Sequence, residues 1–587
     1  MAIKTRNSAW VTVAGLALLV ILGGFLRLHN LDEKSVTHVE MYVPGIRLPH
    51  GISFPEERLT LLKVVTSTLN SDTHPPAYYM LMWAWTRCFG ASAWSIRLPS
   101  ALLGTACIPL VFWLGTLTRQ TAAGWIAAAL MAVNGHQVFW SQIARMFTLA
   151  CCLGLLATIL LLHIAKQSHA SWSLQFPYVA ILLVGLCTHV FFWLILAAHM
   201  LWTLLNSWSQ RQALPGAAKL QFLALILGSP LLAFSAYQNG NTLATLSGNA
   251  LVYAREFLQF AFVFPLLGYS SGVYPDRGHI LMIDDPHLSL LRWLFFLLCV
   301  LLFAVGIASV SQSKQIDWKL LNDADGPSSK AWLLAAGLGT VAILSFVWVA
   351  KTFAEPPNPT LQTTELMTVL PLLLALCSIL VQRSWDRLTS WRMTLVGSRF
   401  VTADQTLVLI LAVVPFVALS VISLFKPIFN ARGLLPLAPY LLLVLSAGMV
   451  RLARHPIPAA AILFALAIAH YSGLKAYSQM SAGRADYKSF AADLSPQIGS
   501  TDLVFLYPEF YSTPLFFYMN SNWDRIVGRN YEAACLDKPH ARVWALWFYN
   551  YEPELPKPME DALSSYHAVQ TVDAPGGHAV LYVPNGL

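Results

Sequence analysis

Long runs of apolar residues recur along this sequence, separated by short polar stretches, and most approach the roughly 20 residues needed to cross the hydrocarbon core of a bilayer. The first is Trp10 to Leu26, and later runs fall near 97–117, 121–138, 145–165, 174–188, 190–206, 216–236, 289–310, 331–350, 366–382, 404–425, 434–450 and 457–475. The composition agrees: 56% of the 587 residues are hydrophobic and 11% are charged, where about 25% charged is usual for soluble domains. The pattern predicts an all-α polytopic membrane protein with about 13 transmembrane helices.

Charge placement sets the expected topology. Lys4 and Arg6 precede the first run, which has no small-x-small cleavage site before Arg27, so it reads as an uncleaved span with a cytoplasmic N-terminus. The alternate loops that follow hold Arg119, Lys166, Arg211, Lys219, Lys314, Arg383, Arg387, Arg451 and Arg454, which satisfies the positive-inside rule. The net charge of +8 then reflects topology, and nucleic-acid binding is not expected. Six of the eight cysteines, Cys107, Cys151, Cys152, Cys187, Cys299 and Cys377, lie within apolar runs and read as packing residues rather than a disulfide scaffold.

An odd span count leaves three large pieces outside: loop 27–96, loop 237–288 and the tail 476–587. The expected organisation is a membrane domain over 1–475 and a soluble domain over 476–587. In the tail, strand-like runs (Asp502 to Tyr507, Arg542 to Phe548, His578 to Val583) alternate with helix-like stretches (Asp486 to Leu494, Met559 to Tyr566), which predicts a small α/β domain. The segment from Tyr237 to His287 reads as a partly helical lid.

Chemistry is expected in loop 27–96, which holds Asp32, Glu33, His38, Glu40, Asp72 and His74 among many aromatic and apolar residues. Ionisable groups at membrane depth are costly unless they serve a purpose. Asp32 and Glu33 read as solvating the end of the first span. His38 and Glu40 sit in the apolar run Thr37-His38-Val39-Glu40-Met41-Tyr42-Val43 and read as functional.

Several blocks carry a resemblance. Asp72-Thr73-His74-Pro75-Pro76-Ala77-Tyr78-Tyr79, Arg97-Leu98-Pro99-Ser100, Trp140-Ser141-Gln142-Ile143-Ala144-Arg145-Met146-Phe147, Arg432-Gly433-Leu434-Leu435-Pro436 and Arg484-Ala485-Asp486-Tyr487-Lys488 occur in that order. Together they resemble bacterial glycosyltransferase family 39, a group of GT-C-fold enzymes related to protein O-mannosyltransferases and to the aminoarabinose transferase of lipid A. Two departures stand out: the family's first-loop Asp-Glu pair is Val39-Glu40 here, and its Gln-Glu-Ala-Arg acid is Ile143.

The resemblance implies transfer of a sugar, with inversion, from a polyprenyl-phosphate donor to a glycan, lipid or protein acceptor at the periplasmic face of a bacterial inner membrane. A carboxylate in a partly apolar loop suits a general base for the acceptor hydroxyl; Glu40 is the candidate and Asp72 the alternative. The departing phosphate gains charge, for which Arg145 and Arg432, at outer span ends, are the candidates. His74 is a candidate to bond the acceptor or the phosphate. Snorkelling is the plainer reading of either arginine, and a helix-start turn that of His74 with Pro75-Pro76. Tyr78 and Tyr79 read as interfacial aromatics.

No cofactor is predicted. Glu40, Asp72, His38 and His74 could together hold a divalent cation, but no metal-ligand spacing indicates one. Asp323-Ala324-Asp325 lies beside Gly326-Pro327 in a cytoplasmic loop and reads as linker. Two other functions fit many spans: a lipid-linked sugar flippase, or an inactive scaffold of the same fold. Scarce ionisable residues inside the spans weigh against transport. With the tail outside, alkaline phosphatase fused after Leu587 should be active only when the junction is exported; a fusion active only in the cytoplasm would reverse the topology.

Overall fold

The computed structural model describes residues 2–46, 60–71, 74–167, 170–210, 216–243, 403–425, 431–452, a few positions between 466 and 474 and, with short interruptions, 486–585. The expected spans near 289–310, 331–350 and 366–382, most of loop 237–288 and of 457–475, the stretch 323–325 and Asp72 lie outside the described residues.

The described chain is mostly helical, and it is a membrane protein. Four stretches are long and apolar enough to cross a bilayer: Trp10–Leu28, Ala93–Leu117, Phe147–Ala165 and Gly433–Arg451. Shorter apolar helices cover Thr121–Val133, Trp172–Leu186, Phe192–Ser207, Gly216–Leu231 and Asp404–Leu419. In chain order we label α1 (Ala2–Leu28), α2 (Leu61–Ser71), α3 (Ala77–Phe89), α4 (Ala93–Leu117), α5 (Thr121–Val133), α6 (Gly135–Ser141), α7 (Phe147–Ala165), α8 (Trp172–Leu186), α9 (Phe192–Gln210), α10 (Gly216–Leu243), α11 (Ala403–Phe425) and α12 (Ala438–Leu452).

Local chemistry moves several expected boundaries. Helix α4 starts four residues before the expected 97 because Ser92 caps it, its hydroxyl accepting from the Ser95 N–H at 3.2 Å. The expected span 121–138 is two helices. Asn134 ends α5 and caps α6 by accepting from the Gln137 N–H at 3.0 Å. The segment 174–206 divides into α8 and α9, with the turn at Cys187–Phe191 held by His189 and Phe192 N–H groups bonding back to Gly185 and His189 carbonyls. Before α12, Ala431–Leu437 forms a tight 3-10 turn containing Pro436.

Helices α7 and α12 run through the centre of the bundle, and α1 presents Trp10, Val11, Leu18, Ile21 and Phe25 outward as a lipid-facing side would. Gly115 of α4 meets Gly124 of α5 so closely that a Cβ on Gly115 would lie 2.6 Å from the Gly124 Cα, the small-residue contact that lets membrane helices approach. At one end of the bundle Lys166 pairs with Asp404 at 3.0 Å and bonds the Leu117 carbonyl, tying α7, α11 and α4.

At the opposite end, Arg27 closes α1 onto α5. Its guanidinium donates to the Gly23, Ala132 and Met131 carbonyls at 2.9, 3.0 and 2.9 Å and to the Ser141 hydroxyl at 3.2 Å. The last carbonyls of α5, which have no partner within their own helix, thus find donors without water. Gln142 does the same for α1, donating to the Leu26, Arg27 and His29 carbonyls.

Beyond the membrane helices lies a five-stranded mixed sheet in the order β2-β1-β3-β5-β4. Its strands are β1 (Leu503–Tyr507), β2 (Ile526–Val527), β3 (Val543–Phe548), β4 (Tyr566–Ala574) and β5 (Gly577–Pro584). The stretch expected as a helix over 559–566 stops at Ala562, and Tyr566 opens β4 instead. Strand β3 is buried on both faces: Trp544, Leu546 and Phe548 pack under the helix Tyr487–Leu494, while Val543, Ala545 and Trp547 pack against Met559 and Leu563. Asp502, buried at the foot of β1, takes two hydrogen bonds from Arg542 and one from the Trp544 indole.

The sheet is fastened to the first loop. Asp486 caps the helix Tyr487–Leu494 and accepts from the Ser35 hydroxyl at 2.8 Å; Ser35 accepts in turn from the Lys488 N–H, and the Tyr518 hydroxyl accepts from the Val36 N–H at 2.6 Å. Replacing Arg27 by Ala would leave the Met131 and Ala132 carbonyls and the Ser141 hydroxyl short of a donor. At about 1 kcal/mol or more for each group, thermal unfolding in detergent should show a loss of about 3 kcal/mol. An unchanged midpoint would mean that water already serves these groups.

Candidate functional site

Between bundle and sheet, a cluster of buried residues joins the first loop, α3, α6 and the start of α7; Met41, Tyr78, Tyr79, Ile96, Val138, Trp140, Phe147 and Leu435 belong to it. The expected site residues that the structure describes gather around this layer.

Glu40 lies in the 3-10 turn His38–Tyr42 and is fully buried. Its Oε1 accepts from Arg97 Nε at 2.8 Å and from the Ala144 N–H at 2.9 Å. Its Oε2 accepts from Arg97 Nη2 at 2.8 Å, from the Thr37 N–H at 2.9 Å and from the Thr37 hydroxyl at 3.2 Å. Burial alone pushes such a carboxyl up. The Arg97 charge and hydrogen bond, with the two backbone N–H groups, outweigh it and hold Glu40 below the ordinary 4.5.

Arg97, in the first turns of α4, spends its remaining donors on the same loop: Nη1 bonds the Leu31 and Lys34 carbonyls at 2.9 and 2.8 Å, and Nη2 bonds the Ser35 carbonyl at 2.8 Å. Its planar fork thereby fixes a loop that has no long helix of its own. The sequence places Arg97 in the Arg-Leu-Pro-Ser block without a role. The hint available was an arginine at a span start opposite an apolar loop with one buried-type acid.

Arg145 follows Ala144 directly, in the turn before α7, and is 5% exposed. Its Nη1 donates to the Tyr79 hydroxyl at 2.8 Å and to the Val39 carbonyl at 3.3 Å, and its guanidinium lies 5.6 Å from the centre of the Tyr42 ring. The chain pairs Val39-Glu40 and Ala144-Arg145 thus face each other. Ile143, at the position of the missing acid, is buried in the same cluster.

His74 is brought to this region as well. It stacks on His189 at 5.6 Å and meets Phe147 edge-on at 6.4 Å; Phe147 lies 5.4 Å from His189 and 4.7 Å from Trp140. His189 Nδ1 accepts from the Phe191 N–H at 3.1 Å, which in the neutral ring places the proton on Nε2. His189 carries no sequence signal of its own, because an isolated histidine between two apolar runs has no spacing to read. The backbone of Arg432 lies in the turn Ala431–Leu437, where a Cβ on Gly433 would strike the Phe191 ring at 2.1 Å. The Arg432 side chain lies outside the described residues. His38, half-buried, opens the turn that carries Glu40. Among the described residues no group of three His, Cys, Asp or Glu is arranged to hold a metal ion.

The site thus sets a buried guanidinium charge, Arg145, against Tyr79 and Tyr42, while His74, His189 and Phe147 pack together in the same region. The Glu40 arrangement also has a pH signature. Its folded pKa is below the unfolded value, so its stabilisation is fully present above about 4.5 and is lost as pH falls through the folded value. Glu40→Gln should cost about 3–5 kcal/mol at pH 7 by leaving Arg97 buried without its charge partner. Thermal unfolding of the two proteins should converge in acid; a gap that stays constant down to pH 2 would contradict this.

No family model and no curated protein sequence matches the chain. Among solved structures it is similar to ArnT from Cupriavidus metallidurans in the apo state, at 14% identity over 98% of this chain and 98% of that one, with a TM-score of 0.39. It is also similar to the Archaeoglobus fulgidus oligosaccharyltransferase in complex with zinc and sulfate, at 13% identity over 96% of this chain and 72% of that one, with a TM-score of 0.42. A third is the mycobacterial arabinofuranosyltransferase AftD, at 13% identity over 99% of this chain and 40% of that one, with a TM-score of 0.40.

Proposed function

We propose that this protein is a membrane glycosyltransferase that moves a sugar from a polyprenyl-phosphate donor to an acceptor hydroxyl on the outer side, with inversion. The observation that carries the reading is Arg145: a buried cation bonded to Tyr79 and the Val39 carbonyl where the spans meet the first loop.

In the transfer, the acceptor oxygen attacks the anomeric carbon, and the bond from that carbon to the phosphate oxygen breaks with its electron pair going to the phosphate. A diester becomes a monoester and gains negative charge, which Arg145 and Arg432 stabilise as it develops. His74, in its stack with His189 beside Phe147, bonds the phosphate or the acceptor. The acceptor hydroxyl must give up its proton. Glu40 already accepts from five donors, two of them on the Arg97 cation, so it has little basicity to offer. In this reading Glu40 fixes the loop, with His38 at the head of its turn, and Asp72 takes the proton.

A second reading has one observation in its favour: two of the three acids that the family resemblance leads one to expect are aliphatic here, Val39 and Ile143, and the carbonyls of both accept from Arg145. That chain would bind the lipid phosphate and transfer nothing. Incubating the purified protein with a panel of polyprenyl-phosphate sugars separates the two, since only an enzyme releases polyprenyl phosphate.

With an active donor in hand, Asp72→Asn should lower transfer by roughly 10²–10⁴-fold, the usual scale for loss of a general base, with thermal stability kept. Glu40→Gln should lower stability first and, in the fraction that folds, retain much of the activity. The reverse pattern would return the base role to Glu40.

A further inference from the structure

We infer that Tyr79, backed by Tyr78, is the positioning residue that aims Arg145 at the donor phosphate; the inference rests on the donor-phosphate reading of Arg145 given above. In sequence the two tyrosines look like ordinary interfacial aromatics. In the structure both are fully buried, and they reach the two ends of the same arginine. The Tyr79 hydroxyl accepts from Arg145 Nη1 at 2.8 Å. The Tyr78 hydroxyl shares a hydrogen bond with the Ser100 hydroxyl at 3.2 Å, and Ser100 donates to the Arg145 carbonyl at 3.3 Å.

The start of α3 is itself held. Pro75 and Pro76 lead into it, and the Ala77 N–H bonds the Cys187 carbonyl at the end of α8 at 2.8 Å. The rings of Tyr78 and Tyr79 then meet at 75° with their centres 6.0 Å apart, so each limits the other's rotation. A long arginine side chain loses much conformational freedom on binding an anion. Here part of that ordering is done beforehand, which is how preorganisation raises affinity without a new ligand contact. Tyr79 needs no contact with the lipid to do this.

The test is a binding cycle on the full-length purified protein, with undecaprenyl phosphate as the probe and the thermal midpoint recorded on the same samples. Tyr79→Phe keeps the ring and removes only the hydroxyl. It should weaken binding about tenfold, the scale of one hydrogen bond to a charged group, while the midpoint, lowered by the lost bond, stays above the assay temperature. Arg145→Ala should lose most of the affinity, and adding Tyr79→Phe to it should cost nothing more.

If Arg145→Ala binds the probe as well as the parent, the donor-phosphate reading fails and takes this inference with it. If Arg145→Ala weakens binding while Tyr79→Phe does not, the reading stands and the positioning role is overturned. An equal loss from Tyr79→Phe in both backgrounds overturns it too, since Tyr79 would then act independently of Arg145. Should Tyr79→Phe fail to fold, Ser100→Ala loosens Arg145 only at its carbonyl. It should weaken binding about threefold, again only when Arg145 is present, and a loss that persists without Arg145 overturns the inference.

Discussion

A buried ion pair between Glu40 and Arg97 sets the geometry on which the sheet-bearing end of this protein depends. Arg97 belongs to a membrane helix, whereas Glu40 and the three carbonyls that Arg97 also bonds belong to a loop between the first span and α2. Taking two charges out of water is costly, and their attraction offsets that cost only when the remaining donors and acceptors are satisfied. Here they are: Arg97 donates to the carboxylate and to Leu31, Lys34 and Ser35, while Glu40 also accepts from Thr37 and Ala144. The bond from Ala144 matters for function, because it locks Glu40 to the turn whose next residue is Arg145. Loop, span and candidate phosphate site are therefore registered by one carboxylate.

The same end of the bundle shows how helix termini are finished where water is scarce. Arg27 and Gln142 bring guanidinium and amide donors to the carbonyl ends of α5 and α1, and Asn134 brings an acceptor to the amide end of α6. Each uses a polar side chain that would be costly if left unsatisfied. Arg145 lies in the turn that follows Gln142, and the helices beside the sheet are tied to the first loop through Asp486, Lys488 and Tyr518.

How much of this the sequence discloses follows from the range of each interaction. Span positions depend on local hydropathy, so α4, α7, α8, α9, α11 and α12 lie where their apolar runs predict, to within a few residues. The break at Asn134 was harder to read, because a cap inside an apolar run leaves the hydropathy almost unchanged. Alternating apolar residues placed the runs that become β1, β3 and β5; β4 was missed because its mixed polar sequence, with His567, Gln570 and Asp573, matches an exposed edge strand only once its neighbour is known. At the site, Glu40, His74 and Arg145 stood out as ionisable residues in apolar company. Arg97, Tyr79 and His189 did not, since their partners lie 57, 66 and 115 residues away, at Glu40, Arg145 and His74.

The replacement of an acid by Val39 takes on a physical meaning in this setting. The Val39 carbonyl already accepts from Arg145, so a carboxylate at position 39 would stand next to Glu40 and near the guanidinium together. Two adjacent acids repel, and one of them would draw on the charge of Arg145. With valine the loop keeps a single acid, and Arg97 takes it up completely. Under the proposed function, proton transfer then falls to a carboxylate elsewhere in the first loop, and Arg145 meets no side-chain anion from position 39. The valine and the saturated Glu40 are therefore two sides of one arrangement, in which the loop's own acid serves structure and, under the proposed function, Arg145 in the facing turn is left for the donor phosphate.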